Sequence, residues 1–119
     1  MGVIGLDHIQ LAIPAGGEVD ARAFFVGLLE MKEVAKPANL APEGCWFESG
    51  SLRLHIGVDL DFHPATRAHP ALLVDDLEGL RAKLDEAGIA IREGEAIPGY
   101  ARLFVSDPFG NRIELMQRL

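Results

Sequence analysis

The chain is poor in several residue types that would point to particular protein classes. Its single cysteine, Cys45, excludes an intrachain disulfide and a cysteine-based zinc site. Lysine is scarce, and Lys+Arg number 11 against 18 Asp+Glu, so a net charge of -7 leaves no basic surface for nucleic-acid phosphates or anionic lipids. No apolar run is long enough for a bilayer, and the N-terminus lacks the pattern of a secretory signal. We therefore expect a cytoplasmic protein that contacts neither nucleic acid nor membrane.

What is present is typical of one globular domain spanning residues 1–119, with 49% hydrophobic and 24% charged residues. Two successive stretches share one order of predicted elements, a strand, a helix and three strands. In the first stretch the alternating or helical apolar spacing falls at residues 6–13, 18–31, 32–35, 45–49 and 52–58. In the second it falls at residues 69–74, 75–88, 89–92, 101–106 and 111–117. The repetition predicts two copies of a βαβββ unit, at about 5–58 and 68–118.

Four polar residues occupy matching places in the two predicted units. His8 lies in the first strand of unit one and His69 opens the first strand of unit two, while His55 and Glu114 lie in the last strands. Because successive strand residues face opposite ways, both last-strand residues point away from the helix-packed face. Imidazoles and a carboxylate that converge on one cavity would bind Mn, Fe, Co, Ni or Zn. The pattern therefore predicts a divalent-metal site.

Three segments resemble the vicinal-oxygen-chelate superfamily, which includes glyoxalase I, fosfomycin-resistance enzymes, methylmalonyl-CoA epimerase, extradiol dioxygenases and bleomycin-binding proteins. They are DHIQLAI at 7–13, HPALLVDDL at 69–77 and DPFGNRIEL at 107–115, and the resemblance extends over residues 6–117. With the repeat, it predicts an α+β fold in which two βαβββ units form an incomplete, eight-strand, barrel-like cup.

The resemblance implies that His8, His69 and Glu114 are metal ligands and that the chain is an enzyme with glyoxalase-like isomerase or lyase chemistry on a small oxygen-chelating substrate. Glu114 would also be catalytic. The alternatives are an extradiol-type dioxygenase and a non-catalytic, bleomycin-resistance-type binding protein. Glyoxalase I carries a carboxylate where this chain has His55, so His55 is either a fourth ligand or a general base. The Ser-rich anion loop of the fosfomycin enzymes is replaced here by residues 98–101, which disfavours that activity.

Four further residues at matching positions are candidates for substrate binding. Arg53 and Arg112 precede His55 and Glu114 by two residues and could clamp an anion, or could be solvated at a rim. Trp46 and Phe104 could wall an apolar pocket, or could be ordinary core aromatics. Short members of the resembled family often pair unit one of one chain with unit two of another, which implies a homodimer with shared sites.

Overall fold

Each half of the chain forms a four-stranded sheet with one helical segment in the computed structural model, which describes residues 1–119 throughout. The chain divides into two compact units, residues 1–63 and 64–119. The predicted α+β class with two βαβββ units is confirmed. No helix in the chain combines the length and the apolar character that crossing a membrane would require.

The first unit, in chain order, contains strand β1 (Ile9–Ile13), helix α1 (Glu18–Arg22), a π-helix (Ala23–Leu28), and strands β2 (Lys32–Val34), β3 (Cys45–Ser49) and β4 (Leu52–Val58). Its sheet has the order β1-β4-β3-β2, with β1 parallel to β4 and the other pairs antiparallel. Gly50, at a φ of 57°, makes the tight turn between β3 and β4 that an L side chain would strain.

The second unit repeats this plan with strand β5 (Ala71–Leu73), helix α2 (Leu77–Glu86), and strands β6 (Arg92–Glu93), β7 (Tyr100–Ser106) and β8 (Arg112–Arg118). Its sheet has the order β5-β8-β7-β6, and again the first and last strands pair in parallel. Gly88, at a φ of 75°, follows the end of α2 and allows the left-handed C-terminal turn.

One face of each sheet packs against the helical segment of its own unit. In the first unit Phe47 and Leu54 are register partners, both fully buried, and Phe25 of the π-helix stacks on Phe47 with ring centroids 5.7 Å apart. In the second unit Leu103 and Leu115 are register partners and fully buried, as is Leu84 of α2. Each sheet therefore keeps its other face for the polar candidates.

Three predicted elements differ from the structure. Residues 18–31 form two short helical pieces, because the amide of Leu29 bonds the carbonyl of Phe24, five residues back. The first strands begin later than predicted, so His8 and His69 precede β1 and β5 instead of lying in them. At β5 the reason is Pro70, which has no N–H and can only accept, here from the amide of Glu114 at 3.0 Å. The predicted strand at 89–92 is β6, at 92–93.

A buried turn sets the start of β8. The Asp107 carboxylate accepts hydrogen bonds from the amides of Phe109 and Asn111 and from the Asn111 side chain, at 2.8–2.9 Å. Burial raises the pKa of Asp107, against the lowering by these bonds. Asn111 also accepts from the amide of Ala65 at 3.0 Å. The turn thereby ties the connecting segment to the strand that carries Glu114.

Candidate functional site

The strand register places the aromatic candidates beside the last-strand candidates in the same way in both units. Trp46 of β3 is the register partner of His55 in β4, and Phe104 of β7 is the register partner of Glu114 in β8. The two hairpins are thus built alike, and the side chain opposite the candidate ligand is aromatic in each.

The remaining four candidates are matched through the parallel pairings. Ile9 pairs with Leu54, so one further step of the register sets His8 opposite Arg53. Ala71 pairs with Glu114, so two further steps set His69 opposite Arg112. Although neither histidine lies in a strand, both occupy the equivalent backbone position that the repeat predicts.

In the first unit the two imidazoles are in contact. The rings of His8 and His55 stack with centroids 4.0 Å apart, and the His55 ring lies parallel to the Trp46 indole at 3.8 Å. His55 is 9% exposed, and its burial, followed by the nearby His8, lowers its pKa below the ordinary value. A neutral His55 at neutral pH follows, with a ring nitrogen able to accept a proton.

An exposed carboxylate that the sequence pattern did not single out orients His8. Asp7 Oδ1 lies 2.9 Å from His8 Nδ1, and Arg53 Nη1 donates to Asp7 Oδ2 at 3.3 Å. The hydrogen bond from His8 and then the charge of Arg53 lower the pKa of Asp7. Strand alternation could not reveal this contact, because residue 7 precedes the sheet.

In the second unit the histidine and the glutamate meet directly. His69 Nε2 lies 3.1 Å from Glu114 Oε1, and their side chains are 26% and 9% exposed. His69 Nδ1 lies 3.0 Å from the carbonyl oxygen of Arg67. A carbonyl only accepts, so the ring carries its N–H at Nδ1 and directs Nε2 towards the carboxylate.

Arg102 holds the other oxygen of Glu114 and was also missed by the sequence reasoning. Its Nη1 donates to Glu114 Oε2 at 3.0 Å, and its Nε donates to the carbonyl of Glu95 at 2.9 Å. Burial alone would raise the pKa of Glu114, but the hydrogen bonds from Arg102 and His69 bring it below the ordinary value. Strand alternation could have identified Arg102, because residues two apart in a strand share a face and Arg102 is two residues before Phe104 in β7.

A groove in each unit collects these side chains. The first groove has a volume of about 710 Å³ and contains five of them: Asp7, His8, Trp46, Arg53 and His55. The second groove has a volume of about 530 Å³ and contains the other five: His69, Arg102, Phe104, Arg112 and Glu114. The single chain contains no cluster of three or more His, Cys, Asp or Glu arranged to hold a metal ion. Each unit therefore brings one pair of the four predicted ligands together, and a four-residue site stays a prediction.

Comparison with known proteins gives one family and many similar structures. The model of the Glyoxalase/Bleomycin resistance protein/Dioxygenase superfamily matches residues 5–115. No curated protein matches the chain. The crystal structure of a Bacillus anthracis protein assigned to the glyoxalase family is 43% identical in sequence, with a TM-score of 0.93 over 100% of this chain and 98% of that one.

More distant structures share the fold alone. The antibiotic-binding protein TnmS3 from Streptomyces sp. is 20% identical, with a TM-score of 0.75 over 100% of this chain and 99% of that one. A glutamate-to-glutamine mutant of the fosfomycin resistance protein FosX from Listeria monocytogenes, in complex with Mn(II) and a dihydroxypropylphosphonic acid, is 16% identical. Its TM-score is 0.81 over 99% of this chain and 95% of that one.

Proposed function

Because the chain belongs to the Glyoxalase/Bleomycin resistance protein/Dioxygenase superfamily, we propose that it is a metal-dependent enzyme with glyoxalase-like isomerase or lyase chemistry. Its substrate is a small molecule that presents two neighbouring oxygens. His8, His69 and Glu114 hold one divalent ion, of Fe, Mn, Ni, Co or Zn, since imidazole and carboxylate suit these metals. His55 is the general base.

The contact between His69 and Glu114 carries this proposal. Both ring nitrogens of His69 face acceptors, the Arg67 carbonyl at Nδ1 and the Glu114 carboxylate at Nε2, so the hydrogen bond to Glu114 needs a proton on Nε2. A divalent ion can take the place of that proton. Two acceptors 3.1 Å apart repel each other unless a proton or a metal ion lies between them. Two ligand atoms, each about 2.1 Å from one metal ion, lie about 3.0–3.4 Å apart. The 3.1 Å spacing, which the hydrogen bond satisfies in the metal-free chain, also fits two ligands of one ion.

His8 supports the same assignment from the first unit. Its Nδ1 faces Asp7, which leaves the Nε2 lone pair to bind the metal ion. In metal-binding histidines the nitrogen that does not bind the metal is usually hydrogen-bonded to a carboxylate, a carbonyl or water. His63 makes a similar bond, to the Asp61 carbonyl, but lies outside both grooves. The distinguishing property of His8 and His69 is that each has a second candidate ligand beside it.

The bound metal would act as a Lewis acid that polarises the substrate oxygens and acidifies the neighbouring C–H. His55 then takes that proton at a ring nitrogen and returns it to the adjacent carbon, which balances an isomerisation. Its lowered pKa keeps it in the accepting form near neutral pH. The parallel indole of Trp46 holds the ring in place and excludes water from one side.

The other candidates line the two grooves. Trp46 and Phe104 supply apolar surface next to the ligand pairs. Arg53 is held by Asp7, whereas Arg112 lies over the Phe104 ring with its guanidinium carbon 4.2 Å from the centroid. We assign the anion-contacting role to Arg112 and not to Arg53, because Arg112 has no ion pair whereas Arg53 is paired with Asp7.

We further propose that the active species is a homodimer in which unit one of one chain and unit two of its partner supply one metal site. The support is that unit one presents the ligand His8 beside the base His55, whereas unit two presents the ligands His69 and Glu114, so the three ligands require both kinds of unit. An isologous pair of chains provides two such combinations.

Metal analysis of the protein purified without an affinity tag tests the function. We expect bound divalent metal in the unaltered chain and a loss of affinity of about a hundredfold or more in Glu114→Gln, since even changes beside a ligand cost about 10–100-fold. Glu95→Gln, a second carboxylate in the same groove, is the matched control and keeps its metal. Equal metal content in Glu114→Gln and the unaltered chain contradicts the ligand assignment.

Activity assays then separate the reaction classes. Turnover of an α-oxoaldehyde supports the proposal, whereas O₂ consumption with a catechol shows the dioxygenase alternative. A chain that binds no metal and turns over nothing, yet retains a small molecule with saturable affinity, is a sequestering protein instead.

A further inference from the structure

The second groove gathers unpaired positive charge in an otherwise acidic protein. Its charged lining comprises four arginines and three glutamates: Arg67, Arg92, Arg102, Arg112, Glu93, Glu95 and Glu114. Two of the carboxylates are already engaged, since Glu114 binds Arg102 and Glu93 binds Arg81 of α2. Three arginines without an ion pair therefore face one free carboxylate, Glu95, in a chain whose net charge is -7.

Arg112 is the one of these three arginines that lies over an aromatic ring. Its guanidinium carbon lies 4.2 Å from the centroid of the Phe104 ring, a cation–π contact that fixes the plane of the group. Its Nε is buried and has no hydrogen-bond partner, and a buried donor without a partner is rare enough to need an explanation. The planar guanidinium is held by the ring and has no ion pair, and its fork of N–H donors is suited to the oxygens of an anion.

The equivalent arginine of the first unit lacks this character. Arg53 donates to Asp7 at 3.3 Å, and the first groove also contains the carboxylates of Glu43 and Glu48. The other cation there, Lys36, is bonded to the carbonyls of Ala41 and Glu43. Excess positive charge is thus a property of the second groove and does not follow from the duplication.

We propose that Arg67, Arg92 and Arg112 form a binding site for a compact oxyanion, the phosphate, phosphonate or carboxylate end of a small molecule. Phe104 contacts both Arg112 and His69, whose ring centroid is 5.7 Å from its own, so the anion site adjoins the His69–Glu114 pair. That this molecule is the enzyme's substrate rests on the proposed function. The site itself requires only the second unit.

Calorimetric titration of the purified protein with inorganic phosphate, and separately with acetate, tests the site. We expect saturable binding that weakens with added salt, since the contacts are charged. Arg112→Gln lowers the affinity about tenfold or more, because hydrogen bonds to charged groups are lost. Arg92→Gln, on the exposed edge strand β6, lowers it as well and guards against a folding defect in the first variant. Arg53→Gln is the matched control from the equivalent position and leaves the affinity unchanged.

The outcomes separate cleanly. Tighter binding of phosphate identifies a tetrahedral anion, tighter binding of acetate identifies a carboxylate, and either supports the site. Absence of saturable binding of both anions, or equal weakening in Arg53→Gln and Arg112→Gln, overturns it. Metal content measured on the same samples keeps the two proposals apart. Loss of phosphate binding with full metal content in Arg112→Gln supports an independent anion site, whereas a metal-free chain that still binds phosphate overturns only the proposed function.

Discussion

The two units place their candidate ligands at equivalent backbone positions but surround them with different chemistry. In the first unit the imidazole of His55 is stacked between the rings of His8 and Trp46. In the second unit the Glu114 carboxylate is held by His69 on one oxygen and by Arg102 on the other. One unit therefore surrounds an imidazole with aromatic rings, and the other holds a carboxylate by hydrogen bonds to both oxygens.

A single position explains much of this difference. Extending the register of β3 and β4 by one step sets Gly44 where the second unit has Arg102. Gly44 has a φ of 85°, and a Cβ there would collide with the carbonyl oxygen of Ile56. The first unit thus has no room for an arginine clamp. Duplication preserved the strand pairing, while local backbone geometry decided which side chains could accompany each ligand.

Mixing two inactive chains gives the largest expected effect and tests whether the two units act together across a dimer. His8→Ala damages only unit one and His69→Ala only unit two, so each variant alone is inactive. When the two are refolded together, about a quarter of the sites in a randomly mixed dimer population carry no lesion. We expect metal binding and activity to return to that extent. No recovery after mixing, or a monomer by sedimentation, contradicts the shared site.

Core and groove truncations in the same strand should differ in their cost. Leu54→Ala should lower the free energy of unfolding by about 2–5 kcal/mol, because the side chain is fully buried against the helical segment. His55→Ala should lower the free energy of unfolding by less, because the contacts it removes are mainly ring stacking. It should abolish turnover, because it removes the proposed base. Chemical denaturation and rate measurements on both variants check this. A larger stability loss for His55→Ala would show that the assignment of faces in β4 is wrong.

Arg102→Gln sharpens the contrast at the ligand itself. The substitution frees Glu114 Oε2 while the Oε1 contact with His69 remains, so we expect a loss of metal affinity of about 10–100-fold. Arg102→Lys should recover part of it by restoring the charge. Metal titration of both variants measures this. Arg92→Gln is the control, because Arg92 lines the same groove without contacting Glu114. Unaltered affinity in Arg102→Gln contradicts a positioning effect.

The smallest effect is a difference in acid sensitivity between the units, measured with a chelator present. The pKa of His55 is lowered from 6.5, mainly by burial, so the unfolded chain takes up this proton first and stability falls as the pH drops below 6.5. The pKa of Glu114 is lowered from 4.5, so its contribution is complete above pH 4.5 and is lost below it. In urea unfolding, His55→Gln should remove the earlier decline and Glu114→Gln the later one. Identical pH profiles would contradict this separation.

The sequence predicted the hairpins well because their signals are local. The alternation at residues 45–49 and 52–58, with the turn at Gly50, matches β3 and β4. The equivalence of His55 with Glu114 followed from the same alternation. The starts of β1 and β5 depend on pairing with distant strands, and at β5 on the missing N–H of Pro70. The apolar spacing at 18–31 fits α- and π-helix alike, so the π-helix was not predictable from it.

The contacts Arg102–Glu114 and Asp7–His8 could not be predicted from local sequence signals. The face of Arg102 was implied by strand parity, but its choice of Glu114 required the register of β7 against β8. Asp7 lies in irregular backbone, where no period indicates the direction of a side chain. The repeat therefore predicted the equivalent positions of the four candidate ligands, whereas the side chains that contact them depend on tertiary geometry.

The parallel pairing of first and last strands predicts an order of assembly during folding. The hairpin of β3 and β4 closes over a tight turn, so we expect Trp46 and His55 to meet early. The pairing of Ile9 with Leu54 must close a long loop, which has a larger entropic cost. His8 reaches His55 only in that last step, and His69 reaches Glu114 only when β5 docks on β8. A nascent or partly unfolded chain thus presents aromatic surface but no ligand pair. Under the proposed function, a metal ion therefore binds only chains in which both parallel pairings have formed.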